Sequence, residues 1–126
     1  MEIQWVMLAK EIRTNPDTTM CIDGIFHRID LDKVVSKPSM MLIAKLNPSP
    51  TDIGKTKRLL LRVEHDGELV GGLTTQYRVH DEDTWGNRFP YITMRLAKVG
   101  LPYLGKYTFK ILVDGEFQNE ESITVE

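Results

Sequence analysis

The side chains most able to do chemistry in this 126-residue chain crowd into one stretch, from His80 through Asp81, Glu82, Asp83, Trp85, Asn87, Arg88 and Phe89 to Tyr91. Its first half is acidic. Hard cations such as Ca²⁺ take about six to eight oxygens, and a sandwich domain often supplies them from closely spaced carboxylates in a loop. Asp81, Asp83 and Asn87 are therefore the metal candidates, and a site built on them would be that of a Ca²⁺-binding C2-like β-sandwich. A second Asp-x-Asp occurs at Asp30 and Asp32, but if strands alternate in direction, its loop leaves the opposite end of the fold. A solvated acidic loop explains the pattern with fewer demands, so neither metal nor other cofactor is expected.

The second half of the stretch is aromatic. Trp and Tyr, together with Arg, dominate binding energies at protein interfaces. Trp85, Arg88, Phe89 and Tyr91 are accordingly the expected contact residues, for a protein partner or for a second copy in a homodimer. The competing reading has the loop folding its own aromatics over the end of the core.

Other chemistries find less to work with. His27, His65 and His80 are not at a zinc-ligand spacing, and Cys21, the only cysteine, has no second thiol to join it. Cys21 falls in a predicted strand, where an inert buried thiol is the default, and no Ser occupies a Gly-x-Ser-x-Gly elbow. Gly71-Gly72 lacks the third glycine, the Lys and the following helix of a phosphate cradle. No enzymatic activity is expected.

A formal net charge of −2 offers no positive field to phosphate backbones, which argues against nucleic acid as a partner. The longest apolar run, Met40 to Ala44, is far short of the roughly 20 residues of a membrane helix, so no membrane is expected either. The first residues lack the basic flank and cleavage site of a secretion signal. With one cysteine, a reducing cytoplasm is the expected setting.

The elements that must position these residues are strands. Tyr107, Phe109, Ile111 and Val113 share one parity while Lys106, Thr108 and Lys110 take the other, which is the period of a half-buried strand, with Leu112 the exception. Asp114-Gly115 and Asp66-Gly67 each fit a two-residue hairpin turn. Reading for period two predicts about eight strands: roughly 2–12, 19–29, 39–46, 56–65, 68–79, 91–99 and the two flanking Asp114-Gly115. Gly24 in mid-strand marks a bulge or a close approach, and Gly71-Gly72 a bulge. The stretch 30–38 has room for one helical turn, and the two prolines of 47–54 make it a loop.

Strand number and length predict a single domain over residues 1–126, an immunoglobulin-like antiparallel β-sandwich. Tyr107, two residues after a turn Gly and two before an inward Phe, resembles the tyrosine corner of such sandwiches. The first and third strands are apolar on both parities. That leaves Val6, Leu8, Met41, Ile43 and Leu60 as surface for a homodimer, or for a strand added at a sheet edge, to cover.

Three segments, Asp23-Gly-Ile-Phe-His-Arg-Ile29, Leu101-Pro-x-x-Gly-x-Tyr-x-Phe109 and Val113-Asp-Gly115, in that order and spacing, resemble a family of small bacterial proteins of unknown function. The resemblance covers nearly the whole chain and implies one β-sandwich domain opening on a short apolar strand. It implies no catalytic or ligand-binding residue, and the acidic loop from His80 to Asn87 has no counterpart in it.

Overall fold

Alternating apolar residues assemble two sheets. The computed structural model describes residues 1–16, 19–25, 28–29, 40–84, 90–96 and 100–126. Among them run β1 (Glu2–Thr14), β2 (Met20–Ile25), β3 (Arg28–Ile29), β4 (Met41–Asn47), β5 (Thr56–His65), β6 (Glu68–Arg78), β7 (Tyr91–Arg95), β8 (Gly105–Val113) and β9 (Glu116–Val125). One sheet has the order β2-β1-β4-β7 and the other β3-β9-β8-β5-β6, so the chain is a β-sandwich. Its core is the two inward rows, with Leu42, Ala44, Leu46 and Ile92 facing Leu59, Leu61, Tyr107, Phe109 and Ile111. Each of the larger side chains, fully removed from water, favours the folded state by about 1.5–3 kcal/mol.

Both Asp-Gly pairs close hairpins. Asp66 and Gly67 have φ of 50° and 80°, and Asp114 and Gly115 have 50° and 87°, the positive pair that a right-twisted two-residue hairpin requires. Asp114 is further held because its carboxylate accepts the Arg58 N–H at 2.9 Å and its own N–H donates to the Arg58 carbonyl at 2.8 Å. The β5–β6 register shifts after Val63, whose partner is Gly71, to Glu64, whose partner is Leu69. That places a bulge at Val70, beside the expected Gly71-Gly72.

Three features depart from simple alternation. A register shift between Ile3 and Trp5 reverses the parity of β1, so Val6 and Leu8 join Ile3 in the core while Trp5 and Met7 are half-buried. Ile43 is also fully buried. The surface that two-faced strands left for a homodimer thus shrinks to Met41 and Leu60, both half-buried.

The segment expected as one strand over 19–29 instead splits between sheets. β2 pairs antiparallel with β1, and β3 pairs parallel with β9 through Arg28–Thr124 and Ile29–Val125. The five-stranded sheet is therefore mixed rather than purely antiparallel. Ile25 on the edge of the first sheet is 48% exposed, whereas Ile29, paired along β9 in the second, is only 4% exposed. Gly24 marks a close approach and not a bulge: the β1–β2 register is unbroken, and a Cβ at Gly24 would sit 3.0 Å from that of Lys10.

The loop 47–54 holds a 3₁₀ turn, Pro50–Asp52, with Asp52 buried at its end. The Asp52 carboxylate accepts hydrogen bonds from the Ser49 N–H and hydroxyl, each at 2.9 Å, and pairs with the Lys57 ammonium and the Met1 amine, each at 3.1 Å. Burial alone would raise its pKa. The Ser49 and Lys57 hydrogen bonds overcome that and hold it well below the usual carboxylate range.

Tyr107 at the start of β8 is fully buried. Its hydroxyl accepts the Tyr103 N–H at 2.8 Å and donates to the Tyr103 carbonyl at 3.1 Å, which is tyrosine-corner geometry. The helical turn expected within 30–38 lies outside the described residues.

Candidate interaction surface

The acidic stretch is used structurally where it is described. A single helical turn, Asp81–Thr84, follows β6. Asp83 is 6% exposed, and its carboxylate accepts the Tyr77 hydroxyl at 2.8 Å and the His80 N–H at 2.9 Å. Two charge-assisted hydrogen bonds thus tie the turn back to the end of β6. Asp81 is exposed, and Asn87 lies outside the described residues. Among the described residues no three His, Cys, Asp or Glu side chains gather as metal ligands.

Of the expected contact residues, Tyr91 opens β7, pairs with Lys45 and has its hydroxyl 3.3 Å from the Thr14 hydroxyl. Trp85, Arg88 and Phe89 lie outside the described residues, as does His27. His65 serves the corner at the start of β8. Its Nε2–H donates to the Leu104 carbonyl at 2.7 Å, and its ring centroid lies 4.7 Å from that of Tyr107 and 5.3 Å from that of Tyr103. Cys21 is half-buried, with the Asn15 side-chain amide donating to its sulfur at 3.3 Å.

A different surface emerges on the outer face of the five-stranded sheet. Leu60 on β5 pairs with Leu112 on β8, and Leu112 pairs with Phe117 on β9. Three apolar side chains therefore form one row across three strands, and Phe117 at its end is 56% exposed. Cross-strand neighbours on one face lie within about 5.5 Å of each other, close enough to act as one patch.

The flanking rows are polar. Arg62 and Glu120 both pair with Lys110, whose ammonium sits 2.7 Å from the Glu64 carboxylate. On the other side a shallow open groove runs beside Thr56, Arg58, Leu60, Gln76, Asp114 and Gly115. The Arg58 guanidinium makes no ion pair among the described residues, where Lys110, Arg62 and Lys57 all do. This face can hold an apolar side chain over the row and a carboxylate beside it on Arg58.

The signal for that face was in the sequence as two misfits. Leu112 breaks the alternation of β8, and Leu60 sits between the inward Leu59 and Leu61. Neither reveals alone that they are cross-strand partners, because that depends on the β5–β8 register, which joins strands distant in sequence.

Fold and surface together define a small two-sheet β-sandwich whose described buried polar side chains hold loops and corners in place. The chain belongs to a family of unknown function, DUF6941, whose model matches residues 4–126. Comparison with curated proteins finds no match.

Proposed function

We propose that the chain is a non-enzymatic protein-interaction or assembly module, an immunoglobulin-like sandwich that binds a protein partner through the outer face of its five-stranded sheet. The observation that carries this reading is the in-register row Leu60, Leu112 and Phe117 beside the guanidinium of Arg58, which makes no ion pair among the described residues. An apolar row rimmed by polar side chains is the build of an interface centre, with aromatic and Arg groups as its anchors. The partner it fits presents an apolar side chain next to an Asp, a Glu or a chain-terminal carboxylate.

The immunoglobulin-like assignment draws on strand order and on the tyrosine corner. β4 neighbours β7 in one sheet, β5 neighbours β8 in the other, and the hairpins β5–β6 and β8–β9 extend the second sheet on both sides. The Tyr107 hydroxyl closes the corner before β8.

The test is binding of proteins from the native host to immobilised wild type, to Phe117→Ser and to Arg58→Glu, each first shown to be folded by its near-ultraviolet circular dichroism. A partner held by wild type is expected to bind each variant about tenfold or more weakly, the loss typical of an interface anchor. Equal retention by both variants, or no retention by wild type, contradicts the proposal.

A further inference from the structure

At one end of the β5–β6 ladder, four hydrogen-bonding side chains meet on the outer face. Leu59, Leu61 and Val63 fill the core, so the even positions of β5 and their partners on β6 point outward. Thr56 pairs with Arg78 and Arg58 with Gln76, and all four residues are exposed. Residues directly opposite lie within about 5.5 Å and diagonal neighbours about 7–8 Å apart, within reach of long side chains. The two guanidiniums therefore take one diagonal of the block, and the Thr56 hydroxyl and Gln76 amide take the other.

None of these four side chains has an ion-pair or hydrogen-bond partner among the described residues. The neighbouring cations on the face are already engaged, since the Lys110 ammonium lies 2.7 Å and the Arg62 guanidinium 3.8 Å from the Glu64 carboxylate. Asp114 also lines the groove beside Arg58. Its carboxylate accepts the Arg58 N–H at 2.9 Å and lies 3.7 Å from the Lys57 ammonium. Two positive charges are thus left side by side with no anion on either among the described residues.

Charge and donor count decide what fits there. Two guanidinium forks, a hydroxyl and an amide offer more hydrogen bonds than the roughly four that one carboxylate accepts. A phosphate monoester brings a charge of about −1.5 to −2 and three acceptor oxygens, and Arg meets it bidentately. The diesters of a nucleic-acid backbone carry one charge per phosphate and are met by cations in series. Here the block is bordered instead by the apolar row, because Thr74, two residues before Gln76, pairs with Leu60.

We propose that Thr56, Arg58, Gln76 and Arg78 form a site for a phosphate monoester, carried on a phosphorylated side chain of the protein partner next to the apolar side chain that covers the Leu60 row. The site rests on the outer-face reading, in which Arg58 takes the partner's anion, and gives that anion two charges in place of one.

The experiment follows the arginine Nε–H and Gln76 side-chain amide signals by nuclear magnetic resonance during titration with phenyl phosphate. Benzoate and methyl phenyl phosphate, each with a single charge, serve as comparisons at matched ionic strength. Phenyl phosphate is expected to bind saturably and at least about fivefold more tightly than either monoanion, the difference a second charged contact makes. Arg58→Gln and Arg78→Gln should each remove that preference. Absence of saturable binding by about 10 mM, benzoate bound as tightly as phenyl phosphate, or an Arg78→Gln variant that behaves as wild type overturns the proposal. A diester bound as tightly as the monoester also overturns it, in favour of a nucleic-acid backbone. Phe117→Ser leaves all four donors in place, so a Phe117→Ser variant that still retains the partner sinks the outer-face reading, whereas an indifferent Arg78→Gln sinks only the phosphate site.

Discussion

Tyr107 shows how one hydroxyl can be both sequence signal and structural bond. Buried with its ring against His65, it satisfies the N–H and the carbonyl of Tyr103 together. Tyr107→Phe keeps the ring and orphans both groups, so urea unfolding should show a loss of about 1–3 kcal/mol. Burial also pushes the Tyr107 pKa up. A phenol that ionises more readily in the unfolded chain costs stability as pH rises above about 10, and Tyr107→Phe should flatten that alkaline decline.

Asp52 works with the opposite sign. Its folded pKa is depressed, so its contribution is complete above the unfolded carboxylate value of about 3.9 and fades as pH falls through that value toward the folded one. Asp52→Asn should lower stability at neutral pH by roughly 1–3 kcal/mol, the cost of removing the buried carboxylate that pairs with both the Lys57 ammonium and the Met1 amine. The gap to wild type should narrow in urea titrations below about pH 4. A gap that stays constant with pH would mean the carboxylate charge contributes nothing.

Among elements, the β5–β6 hairpin is the most sharply determined. At Gly72 an added Cβ would lie 2.7 Å from the Leu61 carbonyl oxygen, so β6 can lie this close to β5 only without a side chain there. Gly72→Ala must push the strands apart, at a cost of about 1–3 kcal/mol by thermal or chemical melting. It should also raise amide exchange along β6 more than along β8.

Local chemistry made these elements legible in the sequence. The Asp-Gly turns, the bounds of β5, and the inward residues Leu59, Leu61, Val63, Ile92, Met94 and Leu96 all follow from period two and turn preference. Features that depend on distant partners were not legible. The shift between Ile3 and Trp5 is set by pairing with β4, and the passage of the chain from β2 to β3 by the open edge of β9. Asp83 read as part of a solvated acidic loop and only a candidate metal ligand, because its partner Tyr77 belongs to a strand and not to that loop.

In the molecule as a whole, the proposed contact surface is the outer face of the five-stranded sheet. The contact stretch expected around Trp85, of which only Tyr91 is among the described residues, was read from aromatic density along the chain, whereas a row across β5, β8 and β9 cannot be read that way. Its components are ordinary in isolation. Only the register sets Leu60, Leu112 and Phe117 together with Arg58 beside them.

The most direct measurement places a photoreactive phenylalanine analogue at position 117 and, as a control, at the exposed position 93 on the other sheet, then irradiates each protein in its native host. If the outer face is the contact surface, position 117 gives a discrete adduct with another protein and position 93 does not. Excess wild type should suppress that adduct, and excess Arg58→Glu should not. No adduct from position 117, or one that Arg58→Glu suppresses as well as wild type does, would contradict an outer-face contact surface.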